Sequence, residues 1–192
     1  MATHVSVREL TRLRLISQLI QPGDVQTPSD VVRRLFAVQA QDFASACWAL
    51  GVRSPGSTAA NVTESLSTGE IVRTWPMRGT LHFVAPEDLR WMLQLSRERM
   101  LASLASRNRQ LELDAAVFEQ VTDIVIEALS GGHARGRNEL MRLLEDREIR
   151  TSGERGYQLI YYLAQTATVC WMPTVQESAG TCARRRVDRA DT

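Results

Sequence analysis

The 192 residues contain no lysine, and all 23 basic side chains are arginine. An all-arginine set favours planar, bidentate contacts with phosphates and base edges, although GC-rich coding produces the same bias. The arginines stand against 22 acids, so the net charge is +1. No global field draws such a chain to nucleic acid, and a local patch must do so instead. Cysteine is scarce. Cys47, Cys170 and Cys182 are far apart, odd in number and without a CxxC pair, which argues against a disulfide framework and a structural zinc site. Cys47 lies in an apolar run and reads as a small buried hydrophobe. No run approaches the roughly 20 apolar residues of a membrane span, and no apolar signal segment follows the N-terminal charges. The expected compartment is the cytoplasm, with reduced thiols. No His, Cys and acid cluster occurs at ligand spacing, so neither a metal nor another cofactor is expected.

What is present is an ordinary balance, 44% hydrophobic and 23% charged, sufficient for one large or two small domains. Ser6, with Glu9 at the capping-box position, starts a helix over Val7 to Ile20 whose apolar face is Leu10, Leu13, Ile16, Leu19 and Ile20. Thr27-Pro28 starts a second helix with Val31, Val32, Leu35 and Val38 inward and Arg33 and Arg34 outward. It is expected to deliver Gln39-Ala40-Gln41-Asp42 near its C-terminal end. Phe43 to Val52 is a buried helix or an extended pass, and Ser57 or Thr58 caps a short helix through Leu66.

Two β-type runs follow, Ile71 to Trp75 and Thr80 to Val84, around Pro76-Met77-Arg78-Gly79. Proline sets φ at the first turn position and glycine takes the positive φ that closes the connection, so a β-hairpin is predicted. A hairpin after three helices, with cations on its turn, is the plan of a winged helix. The first unit therefore spans residues 1–85. A second, residues 86–172, repeats the order with helices from Pro86 to about Arg109, after Asp114, over Arg137 to Glu148 and over Tyr157 to Ala167, then a strand at Thr168 to Met172. Its hairpin lacks a visible return strand. Residues 173–192 are polar and patternless, as a disordered or frame-altered tail would be. The predicted fold class is mainly α with short β-hairpins, in tandem winged helix-turn-helix units of which the second is incomplete.

Gln39 and Gln41 share a face only if the chain is extended there; on an intact helix they diverge. Two amides on one face can hold a water or grip a base edge; the plain alternative is a polar helix end beside Asp42. Arg73, Arg78, Arg33 and Arg34 can line a nucleic-acid groove around the wing, or be solvated surface arginines, and the hairpin turn favours binding for Arg78. His82 is either a phosphate contact or a hydrogen-bonded structural histidine. Trp75 reads as a core anchor more readily than as a wedge between bases.

Leu35-Phe36-Ala37-Val38-Gln39-Ala40-Gln41-Asp42, followed by Arg73-Thr74-Trp75-Pro76-Met77-Arg78-Gly79-Thr80-Leu81-His82, resembles the winged-helix DNA-binding family of the AlkZ and YcaQ type DNA glycosylases. The likeness covers about residues 6 to 172, and members of that family are much longer. It implies hydrolysis of the N-glycosidic bond of N7-alkylated purines in double-stranded DNA, in some members with unhooking of interstrand crosslinks. By the family's Gln-x-Gln motif, Gln39 and Gln41 would position the attacking water and contact the lesion nucleotide; Arg73, Arg78 and His82, on the hairpin that follows, are the candidate DNA contacts. No membrane and no metal partner is expected, and the protein is expected to be a monomer. Two other readings stand beside it. One is a non-catalytic winged-helix regulator, which would read a palindromic site as a dimer through a polar recognition helix. The candidate third helices, Thr58 to Leu66 and Tyr157 to Ala167, are poor in Arg and Asn, which counts against that. The other is an inactive truncated remnant.

Overall fold

The computed structural model describes residues 4–21, 27–172 and 181–183. The chain is mainly helical around one small antiparallel sheet. Helix α1 (Val7–Ser17) opens on the predicted capping box, with the Glu9 N–H donating to Ser6 Oγ at 3.3 Å and the Ser6 N–H to Glu9 Oε2 at 2.8 Å. It stops short of Ile20, where Leu19 takes a φ of 57°. None of its residues is buried, and Leu10, Leu13 and Ile16 are 44%, 53% and 45% exposed.

Helix α2 (Pro28–Leu35) also begins as predicted, with Thr27 and Asp30 forming its capping box. Its end differs from the prediction. Phe36 adopts a φ of 65° and breaks the helix, with its ring edge-on to Trp91 at 6.3 Å. The chain leaves as strand β1 (Ala37–Gln39), so the glutamine motif lies beyond the helix, with Val38 and Gln39 in the strand and Gln41 just past it. Asp42 then caps α3 (Phe43–Gly51), accepting from the Ser45 N–H at 2.8 Å, which resolves the helix-or-extended alternative. Thr58 caps α4 (Ala59–Ser67). Val31, Val32, Val38, Leu50, Val62 and Phe83 close the first core, together with Cys47.

The hairpin is formed by β2 (Val72–Met77) and β3 (Thr80–Val84), but its turn is Arg78-Gly79 alone. Both residues have positive φ, 56° and 67°. A two-residue turn with both central residues at positive φ matches the right-handed twist of the strands. Pro76 lies inside β2, between Thr74 and Met77 where the register shifts, a place where a missing N–H is tolerated. Its carbonyl accepts the Ser96 hydroxyl at 2.6 Å. Ser96 belongs to α5 (Pro86–Ser103), which buries Leu89, Met92 and Leu93 against Val72 and Val84.

The long helix predicted to run to about Arg109 is broken at Leu104. Ser103 Oγ bonds back to the Met100 carbonyl at 2.6 Å, a contact that bends helices, and α6 (Ala105–Gln110) resumes beyond it. Helices α7 (Ala115–Ala128), α8 (Arg137–Asp146) and α9 (Arg155–Gln165) enclose a second core around Val121, Val125, Leu140, Leu144, Leu159 and Leu163. Trp75 reaches into it from β2 and is 5% exposed, with the rings of Tyr161 and Trp171 at 5.6 and 5.7 Å. It is a core anchor.

Strand β4 (Ala134–Gly136) was not foreseen, and the return strand that the sequence did not show is β6 (Thr181–Ala183). It pairs with β5 (Cys170–Met172) on one side and β4 on the other, with Cys182 opposite both Trp171 and Arg135. The second hairpin is thus closed. Three-residue strands without alternation carry no periodic signal. The remainder of 173–192, expected to be disordered or frame-altered, lies outside the described residues. The sheet runs β1-β3-β2-β5-β6-β4, and its halves join where Arg73 opposes Trp171. Among the described residues no helix is long and apolar enough to cross a membrane.

Candidate functional site

Along β1 and its extension, Val38 and Ala40 are buried while Gln39 and Gln41 are exposed. Gln39 is the last residue of the strand, and Gln41 lies just past it, in the bend that leads to the Asp42 cap. Gln39 stands opposite His82 on β3, and His82 opposite Thr74 on β2. Opposed residues point to the same side of a sheet, so Gln39 and His82 share one face, flanked by the buried Thr74, and the exposed Gln41 follows where the strand ends. His82 Nδ1 lies 2.8 Å from the Thr80 carbonyl. A carbonyl only accepts, so Nδ1 carries the proton and Nε2 is the nitrogen available to a ligand. The Gln39 amide and the exposed Arg78 guanidinium have no hydrogen-bond or ion-pair partner among the described residues.

Just beyond Gln39 the ladder is irregular. The Ala40 N–H donates to the Leu81 carbonyl at 2.8 Å, but the return bond is missing. The Ala40 carbonyl instead accepts Nε and Nη2 of Arg73 at 2.9 and 2.7 Å, and Nη2 reaches the Gln41 carbonyl at 3.1 Å. The Leu81 N–H donates to Gln41 Oε1 at 3.1 Å. The guanidinium also lies over the Phe43 ring, 5.6 Å from its centroid. Burial pushes the Arg73 pKa down, against the opposing influence of Cys47 and Asp42.

The sequence grouped Arg73 with DNA-contacting residues; the structure sets its side chain beneath the motif, on the motif's own carbonyls. A cation two residues from Ile71 and from Trp75, both buried, was the signal of an inward-facing charge. Asp42 is engaged as the α3 cap, and hydrogen bonding by Ser45, side chain before backbone, holds its carboxyl below the usual range. Arg33 is paired with Glu87 at 2.8 Å, with both side chains substantially exposed. Such a pair contributes little. Burial raises the Cys47 thiol pKa, as expected of a core cysteine. Among the described residues no group of three or more His, Cys, Asp or Glu is placed to hold a metal.

The chain superposes on the Streptomyces sahachiroi DNA glycosylase AlkZ with a TM-score of 0.76 and 25% identity, covering 95% of this chain and 50% of that one. It is also 28% identical over 151 residues to an interstrand DNA cross-link repair glycosylase of Streptomyces sahachiroi, covering 78% of this chain and 40% of the relative. The family described as DNA glycosylase AlkZ-like matches residues 32–192, and the chain belongs to that family. That match takes in the glutamine motif, the hairpin and β6. The chain spans about half the length of the relatives it matches or less.

Proposed function

We propose that this protein hydrolyses the N-glycosidic bond of N7-alkylated purines in duplex DNA, on the face that carries Gln39, Gln41 and His82. The observation that carries this reading is the exposure of both motif glutamines at the end of β1, with Gln39 directly across from the imidazole. Gln39 holds a water in line with the sugar carbon, and Gln41 donates to the lesion nucleotide. An alkylated purine is already cationic. When the bond between sugar and base breaks, its electron pair neutralises the departing ring, so no general acid is required, and the proton of the attacking water passes to solvent. An amide is too weak a base to activate water strongly, but it orients the nucleophile and offers a dipole to the oxocarbenium-like centre.

In this reading residues 1–85 and 86–172 are tandem winged-helix units whose first wing is the Arg78-Gly79 turn. Arg78 and His82 meet phosphates, and Arg73 serves the motif rather than the DNA. The protein works as a monomer on cytoplasmic DNA without a cofactor. The proposal takes in interstrand crosslinks as substrates, a reading supported by the likeness to an interstrand DNA cross-link repair glycosylase.

A leaving-group series tests the chemistry. Release of N7-methylguanine, with no release of unmodified guanine or hypoxanthine from the same duplex, is the expected result. Equal release of an uncharged base would require a general acid, a role that a cationic leaving group does not need. The second reading, a DNA binder without base release, rests on the exposed Arg78 at the hairpin turn. It predicts retained duplex binding and no released base of any kind.

A further inference from the structure

We infer that Arg73 is a positioning residue that sets the orientation of the Gln41 amide. By drawing the Ala40 carbonyl out of the β1–β3 ladder, it leaves the Leu81 N–H to Gln41. Ala40 and Leu81 are the pair that follows Gln39 and His82. A hydrogen-bonded antiparallel pair exchanges two bonds, and here only one is made. The carbonyl that should make the other is held by two nitrogens of a planar fork, whose donors are fixed relative to one another. The Leu81 N–H still requires an acceptor, and Gln41 Oε1 supplies it.

The consequence is chemical. An amide oxygen accepts and an amide nitrogen only donates. With Oε1 held against Leu81, Gln41 presents its two N–H donors to the open face, suited to an acceptor oxygen or ring nitrogen of a nucleotide. Gln39, unpartnered among the described residues, keeps both oxygen and nitrogen and alone of the two can freely accept from a water while donating. The two glutamines are therefore unequal, and Arg73 makes them so. The effect on base release rests on the glycosylase reading; the exchange of acceptors does not.

The experiment is amide hydrogen exchange at Leu81 in the full chain, run as a double-mutant cycle. Gln41→Ala should speed Leu81 exchange at least about tenfold, whereas Gln41→Glu, which retains an acceptor, should preserve protection. In Arg73→Met the Ala40 carbonyl returns to the ladder, so Leu81 stays protected and adding Gln41→Ala changes nothing further. Should Arg73→Met fail to fold, Arg73→Lys replaces the fork by a single ammonium and should blunt the Gln41→Ala effect in the same direction. An effect of Gln41→Ala that is equal with and without the Arg73 fork, or no effect at all, overturns the inference. In parallel, Arg73→Met should slow single-turnover base release with DNA affinity unchanged. Absence of release from the unmodified protein would remove the glycosylase reading and leave the Leu81 result standing.

Discussion

Gln39 faces His82 across the β1–β3 ladder, so the first amide of the motif and the imidazole lie side by side on one face of the sheet. His82→Ala is expected to reduce base release while shifting the thermal midpoint by no more than about 2–4 °C, the change that ~1 kcal/mol produces in a chain of this size. Calorimetry with a single-turnover assay separates the two. A large loss of stability with normal release would make the ring structural.

Arg78 occupies a left-handed backbone conformation at φ 56°, which costs a non-glycine residue about 1–2 kcal/mol. Glycine removes that strain and adds roughly 0.5–1 kcal/mol of chain entropy cost. Arg78→Gly should therefore fold as stably as the parent or slightly better. In the DNA-binding reading it also weakens duplex affinity across sequences and lowers the slope of log K against log salt by about one. Titrations at several salt concentrations check both effects.

Trp75 anchors the second core from the first hairpin, against Tyr161 and Trp171. Its carbonyl also accepts Nε2 of the buried Gln165 at 2.7 Å. Trp75→Ala should cost about 3–5 kcal/mol, read as a fall in the denaturant midpoint. A loss of DNA binding at unchanged stability would restore the wedge role.

Asp42 supplies a pH dependence of known sign. Its folded-state pKa lies below the ordinary 3.8 because of the bonds from Ser45. The stability it contributes is present above that ordinary value and disappears as pH falls through the lowered one. Asp42→Asn keeps a cap but cannot ionise, so acid denaturation curves should be shallower in that window. Tyr161 behaves in the opposite sense, its pKa pushed up to about 12 by burial and then by Tyr157. Its contribution is complete below the free value near 10 and is lost as pH rises through about 12.

Much of the fold was legible because local rules agree with the tertiary structure. The capping boxes at Ser6 and Thr27 and the caps at Thr58 and Asp114 started their helices where the side chains indicated. The hairpin was legible as a pair of strands, but Pro76 drew attention from the Arg78-Gly79 turn, since arginine is an unusual residue at positive φ. Phe36 was hidden for the same reason. A bulky aromatic at φ 65° gives no helix-stop signal, and without that break the two glutamines belong to a helix and diverge. Their actual placement, Gln39 across from His82 and Gln41 just past the strand, follows from a long-range fact, the pairing of β1 with β3. Strands β4 and β6 are too short for periodicity and exist through each other and β5. The role of Arg73 depends on a missing ladder bond, which no sequence pattern records.

The most direct test is single-turnover release of N7-methylguanine from duplex DNA by the parent chain and by Gln39→Ala, with affinity measured on the same duplex. The account predicts that the variant loses base release by about 100-fold or more, the scale of removing one preorganised polar group from a reacting centre, while its affinity stays within about twofold. Undiminished release by Gln39→Ala would contradict it and remove the glutamine motif from the chemistry.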